Sequence, residues 1–202
     1  MHTPTLRRLG SALALTALAG TAAAHPGHDT TSLAAGLAHP LGLDHLLAMA
    51  AVGTWSAGAF SGQRRLQGPA AFVLALLAGA TGGLWLARQG LALPALELGL
   101  AFSVVLMGAL LAVGRRLGTG AGLSLVVATG LLHGLAHGAE LPAGGAFAPY
   151  AAGFVIGTGV LQLAGLALGD RISRLQARAQ RWAWPVLGSV VGTAGLVLAA
   201  GV

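Results

Sequence analysis

Polar positions are scarce along this chain, and they act as punctuation between long apolar runs. Windows of about 19 residues pick out six such runs, near Leu43 to Phe60, Pro69 to Ala87, Leu93 to Val113, Ala121 to His137, Ala148 to Leu168 and Trp184 to Gly201. Each holds about 17 to 21 residues, enough at about 1.5 Å per residue to cross a hydrocarbon core of about 30 Å. The pattern predicts an all-α fold, a polytopic membrane helix bundle of six transmembrane helices joined by short loops.

A seventh apolar stretch has a different character. Arg7 and Arg8 precede the run from Leu9 to Ala19, and small residues follow, ending Ala22-Ala23-Ala24. That order of basic, apolar and small residues reads as a cleavable signal peptide over residues 1–24, with His25 as the new N-terminus; the alternative is an uncleaved signal anchor. Both place residue 25 outside, because Arg7 and Arg8 stay in the cytoplasm. Residues 25–202 then form a single six-helix transmembrane domain.

Composition supports water exclusion. Hydrophobic residues make up 55% of the chain and charged residues 8%, against about 25% charged in a soluble domain. The formal net charge of +6 could suggest nucleic acid, but every basic residue is Arg and most lie in clusters between apolar runs. Those clusters set topology. Arg64, Arg65, Arg115, Arg116, Arg171, Arg174, Arg178 and Arg181 all fall on one side, and only Arg88 on the other. The expected location is therefore the bacterial cytoplasmic (inner) membrane, multi-pass, with the mature N-terminus and the C-terminus both periplasmic. Trp182, Trp184, Trp85 and Tyr150 fall at span ends, where aromatic anchors are expected.

The chain has 33 glycines, and many recur at four-residue spacing: Gly79 and Gly83, Gly130 with Gly134 and Gly138, Gly153 and Gly157, Gly165 and Gly169, Gly188 and Gly192. On a helix this spacing makes a smooth stripe where a neighbouring backbone approaches closely.

Two stretches break the apolar pattern with chemistry. The first is His39-Pro40-Leu41-Gly42-Leu43-Asp44-His45, followed by Met49. Pro40 and Gly42 are poor helix interiors, so the helix proper is expected to start near Leu43 after a turn. Asp44 and His45 then occupy its first turn, with Met49 four residues on along the same face and His39 folded back toward them. Asp44 could serve only as an N-terminal cap, and Met49 could simply pack. Against capping alone stands the cost of a carboxylate at depth, about 2.5 to 3.5 kcal/mol on insertion scales.

The second stretch is His133-Gly134-Leu135-Ala136-His137-Gly138-Ala139-Glu140. Its two histidines and Glu140 lie on one helix face and can chelate one ion, or they form a buried structural pair. The glutamate that follows the first histidine of a zincin motif is missing. Both stretches lie toward the same side of the membrane, so one shared site is expected. With Cys 0 there is no thiolate ligand, which argues against a copper(I) trap; imidazole suits nickel, cobalt, zinc and copper. At the mature N-terminus, His25-Pro26-Gly27-His28-Asp29 reads either as a cation-collecting cluster containing His28 or as a solvated tail.

These two motifs resemble those of the HupE/UreJ family of hydrogenase and urease accessory membrane proteins, marked by His-Pro-x-x-Gly-x-Asp-His and His-Gly-x-Ala-His-Gly-x-Glu. Gly42 stands one place closer to the proline than in that pattern. The resemblance covers the whole chain. It implies a nickel permease that supplies metal for nickel-enzyme maturation, with cobalt as the alternative cargo, and it implies His39, Asp44, His45, His133, His137 and Glu140 as functional positions. Together with Met49 and His28 these are the candidate metal ligands. A secondary transporter is expected and not an enzyme, with no permanently bound cofactor and with Ni2+ or Co2+ as cargo. The rival reading is a membrane-embedded zinc metallohydrolase. The expected partners are the metal ion and the lipid bilayer, not nucleic acid; a homo-oligomer is compatible with this reading.

Overall fold

A backbone in lipid has no water to bond, so each apolar run must satisfy its own N–H and C=O groups, and helices do this within the segment. In the computed structural model, which describes residues 32–113, 117–141 and 148–201, each of the six apolar runs among the described residues is helical over most of its length. The order is α1 (Leu33–Ala38), a 3-10 turn (His39–Leu41), α2 (Leu43–Ala59), a second 3-10 turn (Gly62–Leu66), α3 (Gln67–Arg88), α4 (Leu96–Val113), α5 (Thr119–Glu140), α6 (Ala148–Ser173) and α7 (Ala177–Ala200). The described residues contain no strand. The leader read over residues 1–24, and His28 with its neighbours, lie outside the described residues.

Among the described residues, five segments are long and apolar enough to span a bilayer: Gly62–Arg88, Leu96–Val113, Thr119–Glu140, Ala148–Ser173 and Ala177–Ala200. The first expected span differs from a straight helix. Leu33–Leu41 and Leu43–Ala59 qualify only as a pair, bent by 78°. The bend has a local cause. Pro40 has no N–H to continue the helix, and Gly42 leaves it with φ −52° and ψ 141° before α2 begins at Leu43. The short α1 ahead of the bend, capped by the Ser32 hydroxyl on the Ala35 N–H, was not anticipated.

At the arginine-rich end the expected boundaries also move. α6 continues to Ser173 and α7 starts at Ala177, so Arg171, Arg178 and Arg181 belong to helix ends and the connection shrinks to residues 174–176. Arginine is a good helix former, and its long stem carries the charge to the interface without breaking the helix. Arg65 in the second 3-10 turn pairs with Asp170 of α6 at 2.6 Å, which ties these segments together at that end.

Side by side, α3 packs on α5, α4 on α7, and both α1 and α2 on α6. The glycine stripes are the contacts. A side chain at Gly134 would land on the backbone of Leu76 and Ala80 in α3, and one at Gly165 would land on Ala50 and Thr54 in α2. Close approach of backbones gains dispersion and packing where lipid supplies no hydrophobic drive. Two of the expected interfacial anchors are corrected by this packing. Trp85 and Trp182 are exposed as anchors should be, but Tyr150 and Trp184 are 5% and 4% exposed and face inward. Trp184 fills the space beside Gly58, and Tyr150 lies against His39.

Candidate metal centre

The bend between α1 and α2 builds the first half of the site. Because the chain turns at Pro40 and Gly42, His39 comes back over the start of α2, and its ring stands nearly perpendicular to that of His45 with centroids 5.2 Å apart. Asp44, next to His45 in the first turn, takes a hydrogen bond at Oδ1 from His45 Nδ1 at 2.7 Å. A carboxylate only accepts, so the proton sits on Nδ1 and the Nε2 lone pair of His45 faces away from Asp44.

The end of α5 builds the second half. His133 Nδ1 donates to the Thr129 carbonyl at 2.9 Å, which leaves its Nε2 as an acceptor, buried and without a partner. One turn on, His137 places Nε2 directly against His45 Nε2, and its Nδ1 lies 3.6 Å from Glu140 Oε2. One ring nitrogen each from His39, His45 and His137 falls within 4.8 Å of the others, the spacing of a group that can share one ion. The tie of His45 Nδ1 to a carboxylate is the arrangement that orients metal-binding imidazoles and raises their basicity. Two Nε2 atoms that meet head-on repel unless a proton or a cation lies between them. Nitrogen ligands of this kind fit a divalent transition metal.

The sequence-predicted residues thus divide. His39, His45 and His137 converge. His133 is fully buried beside them, its ring 5.1 Å from that of His45. Asp44 and Glu140 stand behind the imidazoles, with Glu140 towards solvent at 53% side-chain exposure. Met49 is fully buried in the hydrophobic cluster with Val52 and Phe72, one turn from His45 and outside the three-histidine group. His28 lies outside the described residues.

One wall was missed by sequence reasoning. Phe154 of α6 packs its ring on His39, His45 and His137 at centroid distances of 5.4, 6.2 and 4.9 Å, and Tyr150, one turn earlier, covers His39 at 5.8 Å. The available signal was an aromatic pair at i and i+4 in a span otherwise made mostly of Ala, Gly, Val and Leu. These rings keep water off one side of the histidines and hold their planes.

Comparison with known proteins agrees with the two motifs. The family model described as HupE / UreJ protein matches residues 13–198. Protein HupE of Rhizobium leguminosarum bv. viciae is 35% identical over 199 residues, covering 96% of this chain and 98% of that protein. No solved structure matches.

Proposed function

The chain belongs to the HupE/UreJ family of hydrogenase and urease accessory proteins, and from that premise we propose that it is a secondary transporter that passes divalent nickel, or cobalt, inward across the cytoplasmic membrane for nickel-enzyme assembly. The observation that carries this reading is the convergence of His39 from the first 3-10 turn, His45 from α2 and His137 from α5 at one end of the bundle.

The chemistry follows from the residues. Asp44 and Glu140 place negative charge behind the imidazoles, which attracts a hydrated cation and stabilises it once part of its water is lost. Three ring nitrogens then replace water ligands. Imidazole is a good ligand for nickel and cobalt, and a set without thiolate binds without trapping. Release is as necessary to a transporter as capture. The chain carries no nucleotide-binding motif, so uptake runs down the metal's gradient or is coupled to another ion.

The orientation supports inward passage. The arginine-rich ends mark the cytoplasmic side by the positive-inside bias, and the histidines lie at the opposite ends of α2 and α5. The test is uptake of radioactive nickel at limiting concentration by cells expressing the full chain, with cobalt as competitor. Accumulation above that of cells lacking the chain, lost in His45→Ala, is the expected result; equal accumulation with and without the chain refutes the reading.

A further inference from the structure

Beyond the three histidines the interior of the bundle holds polar groups that the site described so far does not use. On three helices, the residue one turn deeper than a residue of the histidine site is buried: Met49 after His45 on α2, Thr129 before His133 on α5, and Thr158 after Phe154 on α6. Residues four apart share a helix face, about 5.4 Å apart along the axis, so these three mark one level below the histidines. Another turn along α6 stands Gln162, 1% exposed, at the level of Gly53, where the absence of a side chain admits the backbone carbonyl of Gln162.

The polar atoms at these levels are unspent. The hydroxyls of Thr129 and Thr158 and the Nε2 of Gln162 are buried without a hydrogen-bond partner, and so is His133 Nε2 above them. The usual habit of a helical hydroxyl is to bond the carbonyl four residues back. Thr54 does so to Ala50 at 2.7 Å, Thr81 to Leu77 at 2.9 Å and Ser124 to Gly120 at 3.1 Å. Thr129 and Thr158 depart from that habit although burial makes an unmade hydrogen bond costly. Groups kept at that cost in a transporter interior are a place to look for the ion's path.

We infer that Thr129, Thr158 and Gln162 form a second, weaker coordination layer for the divalent cation, one to two turns inward of the histidines, with His133 as the step between; this rests on the permease reading above. Hydroxyl oxygens and the Gln162 amide oxygen, brought inward by rotation of the amide about its last bond, are poorer ligands for nickel or cobalt than imidazole. An ion passed to them is held loosely, together with water it still carries, and can leave toward the cytoplasm. The descent in ligand strength gives the tight outer site a way to empty.

Thr158→Val and Gln162→Leu, alone and together, test this, because each replaces the polar group by an apolar one of similar size. In cells and in proteoliposomes with the full chain, the double variant is expected to lower the uptake rate at saturating nickel by an order of magnitude or more. Equilibrium binding of nickel to the purified protein should stay unchanged, since the histidines are intact, and the thermal midpoint should stay level or rise, since an unpaired buried group has been removed. Thr158→Ser should restore the rate. Wild-type uptake by the double variant overturns the inner layer and leaves the permease reading standing, whereas loss of binding together with a lower midpoint shows a structural role and overturns it too. A wild-type protein that transports neither nickel nor cobalt removes the permease reading, and this inference with it.

Discussion

Asp44→Asn isolates the carboxylate's contribution to the proposed metal centre without removing one of its three nitrogen ligands. The aspartate does not belong to the three-nitrogen group, but its Oδ1 fixes the ring of His45 at 2.7 Å. Asparagine keeps an oxygen that can accept the same proton, so the ring stays in place, and it loses the charge that raises the basicity of His45 Nε2 and offsets the cation. Changes to such supporting partners cost about 10- to 100-fold in metal affinity, or about 1.4 to 2.7 kcal/mol. With a side-chain exposure of 18% the charge is only partly screened, so the loss should fall inside that range. Glu140, at 3.6 Å from His137 Nδ1 and 53% exposed, should contribute less. Equilibrium dialysis of nickel against purified protein in detergent reads both variants directly. Asp44→Asn should weaken binding by about 10- to 100-fold, and Glu140→Gln by clearly less. Equal binding by wild type and Asp44→Asn would refute the assignment of Asp44 as the partner of a metal-binding imidazole and leave it as a helix-start residue.

Three other outcomes are expected. His45→Ala and His137→Ala should each abolish nickel uptake at limiting concentration, and the double variant should be no worse than either, because ligands of one ion are non-additive; independent losses would show separate sites. Gly134→Leu should prevent accumulation of folded protein in the membrane, since its side chain would collide with the Leu76 carbonyl, whereas Gly120→Ala, with open space around it, should raise helix stability by up to about 1 kcal/mol; thermal melts and membrane abundance read both. A reporter fused after Arg116 should be cytoplasmic and one fused after Val202 external, and N-terminal sequencing of mature protein should begin at His25; a cytoplasmic C-terminus would overturn the orientation derived from the arginines.

The sequence by itself determined the helical class, the apolar segments and the two motifs, because these depend on local physics. A run of Leu, Ala and Val in lipid has no alternative to closing its own hydrogen bonds, and a four-residue spacing places His133 and His137 on one face whatever surrounds them. The break near Pro40 and Gly42 was legible for the same reason. The angle of that break was not: 78° depends on where α1 comes to rest on α6, and this angle brings His39 over His45. Nor does a glycine stripe name its partner. Gly134 meets α3 and Gly165 meets α2 because those surfaces fit, and stripe spacing alone is the same for every pairing. That choice of neighbours turned Phe154 and Tyr150 onto the histidines, buried Trp184 beside Gly58, and left Met49 in the apolar cluster. Contacts between helices far apart in sequence are set by shape complementarity over whole faces, which no single-helix period encodes.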